Sequence, residues 1–207
     1  MIRALKGLTS ALLPALLLAA CSKDDPTRYY TLVRPLPAPA LAGRAAFAID
    51  VQPVRVPPQV NLPELVVRQG DGEVAVVESR LWVAPLPDEM RGALAAEMSR
   101  RLGVPDVSQV APPAGAPVYR VLVDVQRFDA QLAGSVRLDA VWTVTDLSGG
   151  AQARWTCADS ATTSVAAGYP ALVEGTQQGL AQLAGRIAAL IGAVRQGRRD
   201  GVCPAAP

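Results

Sequence analysis

Three thiols and no imidazole set the chemical limits of this chain of 207 residues. Without histidine it lacks the commonest general base, the commonest transition-metal ligand and the usual switch near neutral pH. Ser-His-Asp and Cys-His arrangements are therefore excluded within the chain. The only lysines are Lys6 and Lys23. Both lie close to the N-terminus, so a Ser-Lys site is not expected. Carboxylates remain. Asp24-Asp25 reads as a pair of solvated charges. Asp124, Asp129, Asp139 and Asp146 fall on or beside two predicted long strands. Hydrolysis or metal binding would need them to converge, whereas alternate charges on the solvent face of a sheet are ordinary. Gly70-Asp71-Gly72 and Gly149-Gly150 read as turns, and no Walker motif is present. No catalytic residue, no metal ligand and no cofactor is assigned, and enzymatic activity is not expected.

The first thiol, Cys21, closes the stretch Leu18-Ala19-Ala20-Cys21. Arg3 and Lys6 precede it as a short basic region, and an apolar run interrupted by Pro14 lies between. That run is too short to span a bilayer well, which takes ~20 apolar residues. Residues 1–20 read as an export signal. Either the cysteine is incidental to an ordinary signal, or the tetrad is functional. It resembles the lipobox of bacterial lipoproteins, in which the thiol receives a diacylglyceryl group, the chain is cut before the cysteine and the new amine is acylated. Ser22 rather than aspartate follows, which resembles the outer-membrane sorting pattern. Residues 21–28 then form a polar tether. The eight peptide steps from Cys21 to Tyr29 span at most ~28 Å. The folded part is expected to stay near its membrane.

The body, residues 29–195, must supply whatever else the protein does. Lys and Arg number 20 and Asp and Glu 18; without Arg3 and Lys6 the balance is 18 against 18. A neutral chain with dispersed charge gives no case for nucleic-acid binding. Strands are predicted at Tyr29–Val33 and near Phe47–Val56, the second broken at Pro53. A hairpin is predicted around Gly70-Asp71-Gly72. Pro87 to Leu102 reads as a helix, with Asp88 and Glu89 in its first turn and Gly103 past its end. Met90, Leu94, Met98 and Leu102 repeat along one face. Two half-buried antiparallel strands follow, one through Tyr119, Val121, Val123 and Val125, the other through Val136, Leu138, Ala140, Trp142 and Val144. A third covers Ala151–Cys157. A second helix runs from Pro170 to Val194 with an apolar stripe through Leu172, Leu180, Leu183 and Ile187. Residues 196–207 read as a flexible tail. The order predicts one α+β domain: a mixed, mostly antiparallel sheet with two main helices packed on it.

Two features stay open at this level. Cys157 and Cys203 either pair as a disulfide in an oxidising compartment or remain free thiols. The proline-bracketed segment containing Leu81, Trp82, Pro85 and Leu86 is either buried packing or an exposed partner-contact ridge. Trp155 reads as core.

Taken in order, "RYYTL", "AIDVQPVRVP", "ESRLWVAPLPDEMRGALAAEMSRRL", "YRVLVDVQRFD", "VRLDAVWTV" and "YPALVEGTQQGLAQLAGRIAALI" resemble the PqiC-like lipoproteins, the ABC-type transport auxiliary lipoproteins. The resemblance runs from about Tyr29 to Val194. It implies an outer-membrane anchor, a periplasm-facing body and partnership with an MCE-domain protein whose system moves lipids between membranes and supports envelope integrity. It also implies docking, with a homo-oligomeric ring as one form. The rival expectation is a carrier that holds phospholipid in an apolar groove between helix and sheet. Cys157 and Cys203 are not part of the family pattern.

Overall fold

The computed structural model describes residues 25–35, 45–148, 153–198 and 203. Cys21 and the 1–20 segment lie outside them. Among the described residues, seven strands and two long helices form one α+β domain: β1 Arg28–Tyr30, β2 Ala48–Val51, β3 Glu64–Arg68, β4 Val74–Trp82, α1 Leu86–Leu102, β5 Val118–Ala130, β6 Ser135–Asp146, β7 Arg154–Ser164 and α2 Tyr169–Arg195. The strands divide into two sheets, ordered β1-β4-β3 and β2-β5-β6-β7. The sequence pattern had suggested one. Local alternation specifies which face of a strand is buried, but not which distant strand it joins.

The larger sheet is built on β5, β6 and β7, paired antiparallel in long registers. Tyr119, Val121, Val123 and Val125 on β5 are buried, as are Val136, Leu138, Ala140, Trp142 and Val144 on β6. The period-2 pattern thus places one apolar face against the helices. β2 joins β5 in parallel. Pro53 then interrupts the strand and pairing resumes at Arg55, whose N–H donates to Val123 O at 3.2 Å. A proline has no N–H for the ladder, so the break falls there.

α2 lies on this apolar face. Leu172, Leu180, Leu183, Ile187, Leu190 and Ile191 are all buried. At Gly175 the helix approaches so closely that a Cβ would fall 2.1 Å from Val165 Cγ1. α1 packs beside α2, burying Leu86, Met90, Leu94 and Met98. Its C-terminus stops at Gly103, whose φ of 66° is the left-handed conformation that glycine adopts without a Cβ penalty.

In the smaller sheet, β3 and β4 form the expected hairpin, with Gln69 N–H donating to Glu73 O at 3.0 Å across its turn. β1 adds to β4 in parallel, Arg28 opposite Arg80 and Tyr30 opposite Trp82. After β1 the chain leaves the sheet and crosses onto α1, so the predicted strand through Val33 ends three residues early.

Candidate functional site

The carboxylates do not form a reaction centre. Asp124 pairs with Arg55 at 3.3 Å and Asp129 with Arg68 at 2.6 Å and with Arg127. Asp139 pairs with Arg137 at 3.0 Å and accepts from Ser160 Oγ at 2.5 Å. Asp146 accepts from the Ser148 hydroxyl and N–H. Each is occupied locally, at separate points along the strands. Burial alone would raise the pKa of Asp129. Arg68 and Arg127 outweigh it together, and the carboxyl is held below its usual range. Glu97 behaves alike: burial raises it, and Arg100 and Arg101 bring it down further.

One buried polar cluster escaped the sequence reading. Asp159 on β7 accepts from Trp142 Nε1 at 2.6 Å and lies 2.8 Å from Arg186 Nε of α2, both charged side chains being nearly inaccessible. Arg186 also donates to Ser160 O at 3.3 Å. The cluster ties β6, β7 and α2 together beneath the surface, so it holds structure rather than substrate. An isolated Asp in an alternating strand leaves no trace in the sequence of a partner on a later helix.

Cys157 and Cys203 form a disulfide with Cα atoms 5.6 Å apart. It fastens the segment after α2 to β7.

The segment from Leu81 to Leu86 requires a correction. Trp82 is 5% exposed and Leu86 1%, and both belong to the main core. They do not form a contact ridge. Trp82 ends β4, and Leu86 opens α1 and faces inward with Met90, so both side chains complete the helix–sheet interior. Leu81 is half-buried, Pro85 is exposed and Val83 is 63% exposed. Val83, Ala84 and Pro85 rim a shallow concavity of about 320 Å³ with Leu62 and Pro63. Two others, of about 370 and 430 Å³, adjoin at Gln52, Arg120 and Leu147. These volumes lie at the small end of the ~300–1,000 Å³ range of ligand pockets. None lies between helix and sheet, where α2 side chains fill the space. Trp155 is partly buried against the core.

The N-terminal strap is the most elaborated surface element. Glu89, 4% exposed on α1, accepts from Leu32 N–H at 2.6 Å and from Thr31 Oγ1 at 2.8 Å. Gln177 Nε2 on α2 donates to Thr31 O at 3.0 Å. Leu32 itself is fully buried. At the other end of β1, Asp25 pairs with Arg80 at 2.5 Å, and Arg80 donates to Pro26 O at 3.2 Å. The Arg80 guanidinium stacks 5.1 Å from the Tyr169 ring centre. From Asp25 to Leu32 the chain is therefore fastened to β4, α1 and α2. The fastened part of the chain thus begins at Asp25, ahead of the expected start at Tyr29.

The fold matches a crystal structure of an uncharacterized protein with a TM-score of 0.60 and 22% identity, over 81% of this chain and 99% of that one. It also matches a DUF330-family protein from Xanthomonas campestris with a TM-score of 0.53 and 19% identity, over 84% and 98% of the two chains. These likenesses define the class: an α+β domain of this same two-helix form. The profile of the family described as the ABC-type transport auxiliary lipoprotein component matches residues 30–188, and the chain belongs to that family. A search of curated proteins by sequence finds no match. The family is one of lipoproteins that serve ABC-type transport systems.

Proposed function

We propose that this protein is anchored through lipidated Cys21 in the outer membrane, faces the periplasm and docks the MCE component of an ABC transport system during intermembrane lipid transport. The observation that carries this reading is the pinned strap within a lipoprotein-family fold. Fastened from Asp25 onward, the body cannot shuttle across the periplasm, and it acts as a fixed receptor. A carrier role has less support, because the helix–sheet interface is filled with side chains. The partner surface is assigned to the concavity at Val83 and Pro85, at the end of β4 remote from the β3–β4 turn.

Affinity capture of the MCE protein by the full-length lipidated chain tests the docking. Val83→Asp changes an exposed side chain and leaves Trp82 in the core. Loss of capture at unchanged thermal stability is the expected result. Undiminished capture would remove this concavity from the interface. Mass measurement of the mature chain tests the anchor separately.

A further inference from the structure

Where the tether ends says which part of the body meets the lipid. β1 pairs parallel with β4, so the chain enters β1 from the side of the β3–β4 turn. Asp25 is held to Arg80 and Ser79 by its carboxylate. Cys21 is four peptide steps upstream and lies at most ~14 Å away by contour length. Counted back along β4 at ~3.4 Å per residue, Val76 lies ~14 Å from Arg80 and Val74 ~20 Å. Extended toward the turn, the tether reaches the level of Val76, and Val74 lies ~6 Å beyond. A bilayer holding the lipid on Cys21 would then meet the hairpin at these two residues.

The residues at that end are unusual for a free strand. Val74 and Val76 are 51% and 47% exposed. They share the face that carries half-buried Val66, which pairs with Val76. Beyond the short β1, the flank of β4 along Val74–Glu78 has no strand beside it among the described residues. Proteins usually guard such an edge with lysine, proline or a covering element. Here it carries valines. The turn is braced, with Arg68 donating to Gly70 O at 3.4 Å and Asp71 O at 3.3 Å while also pairing with Asp129. A stiff hairpin near the anchor, whose outer face sets Val66, Val74 and Val76 beside Arg68 and Glu78, suits shallow contact with lipid headgroups. Asp71 and Glu73 at the turn keep it from entering the hydrocarbon.

We propose that the β3–β4 hairpin rests on the lipid surface through Val74 and Val76, as a second, non-covalent contact that orients the body on its anchor. This rests on lipidation of Cys21. The full chain carrying Val76→Cys or, as a distal control, Leu122→Cys is labelled with an environment-sensitive fluorophore on the added thiol, with the native disulfide intact. It is bound to vesicles of phosphatidylethanolamine and phosphatidylcholine that contain a shallow nitroxide-labelled lipid. Emission at position 76 is expected to shift to the blue and to be quenched roughly twofold more than at position 122, as for residues ~5–10 Å into the headgroup boundary. Equal quenching at both positions, in protein that floats with vesicles and has the lipidated mass, overturns the hairpin contact alone. A cross-link between position-76 thiols of two copies, without lipid quenching, overturns it in favour of a second copy. An unmodified Cys21 in the mass measurement overturns the anchor and the hairpin proposal together.

Discussion

Glu89 shows how one side chain decides where the N-terminal segment goes. It is buried on α1, and its Oε2 accepts from both Leu32 N–H and Thr31 Oγ1. Glu89→Ala leaves a buried N–H without a partner, a cost of about 1–3 kcal/mol. Urea unfolding should show that loss, and a change below ~0.5 kcal/mol would mean the strap is held elsewhere. Asp159 makes a sharper case. Asp159→Asn leaves Arg186 buried without its counter-charge, which costs about 3–5 kcal/mol. Replacing both, as Asp159→Leu with Arg186→Met, should be far milder, because the desolvation of both charges is then relieved. If the double variant is as unstable as the single, the cluster does something other than balance charge. Asp129 predicts a dependence on acid. Its carboxyl is held below the ordinary range by Arg68 and Arg127, against burial that pushes it up. A depressed folded-state pKa contributes stability that is present above the unfolded value near ~4 and is lost as pH falls through the folded one. Urea midpoints followed from neutral pH into the acid range should fall, and Asp129→Asn should flatten that fall. An unchanged acid limb in the variant would assign the sensitivity to other groups.

At the scale of elements, the local patterns were legible and the long-range pairings were not. α1 and α2 begin within a residue of where proline and the apolar stripe predicted, because helix signals are local. The buried face of β5 follows its alternation as far as Val125, where a register shift before Arg127 changes the phase, and that of β6 as far as Val144, beyond which Thr145 is buried on the opposite face. The parallel join of β1 to β4 spans 52 positions and depends on Arg80, Glu89 and Gln177, none of which advertises it. The apolar residues before α1 were visible as a group, yet periodicity alone could not say whether Trp82 faced in or out. The anchor proposed at Cys21 rests on its tetrad alone, while the surface proposed to lie beside it rests on the register of β1 against β4. The disulfide belongs to this scale too. It closes a loop of 46 residues that contains all of α2. By chain entropy such a closure contributes up to about 4 kcal/mol, with typical values of about 2–4. Reductant should lower the melting temperature of the native chain and leave that of Cys203→Ser unchanged. Equal melting with and without reductant in the native chain would show that α2 is held by packing alone.

For the whole molecule, the β5–β6–β7 sheet with α2 forms a centre of gravity, and the strap is a later addition to it. β1 has three paired positions, against the long registers of β5 with β6. Native-state hydrogen exchange should therefore show Tyr30 and Leu32 amides opening at a lower free energy than those of Val121 and Val123. Uniform exchange across both would make the strap part of one cooperative unit. The contacts that fasten it lie 52 to 146 positions further along the chain. During vectorial synthesis or secretion the first residues of the body emerge long before anything exists for them to grip. The leading end can meet β4 and Glu89 once these have emerged, and its last contact waits until Gln177 has arrived, when it is drawn in like a cord pulled tight.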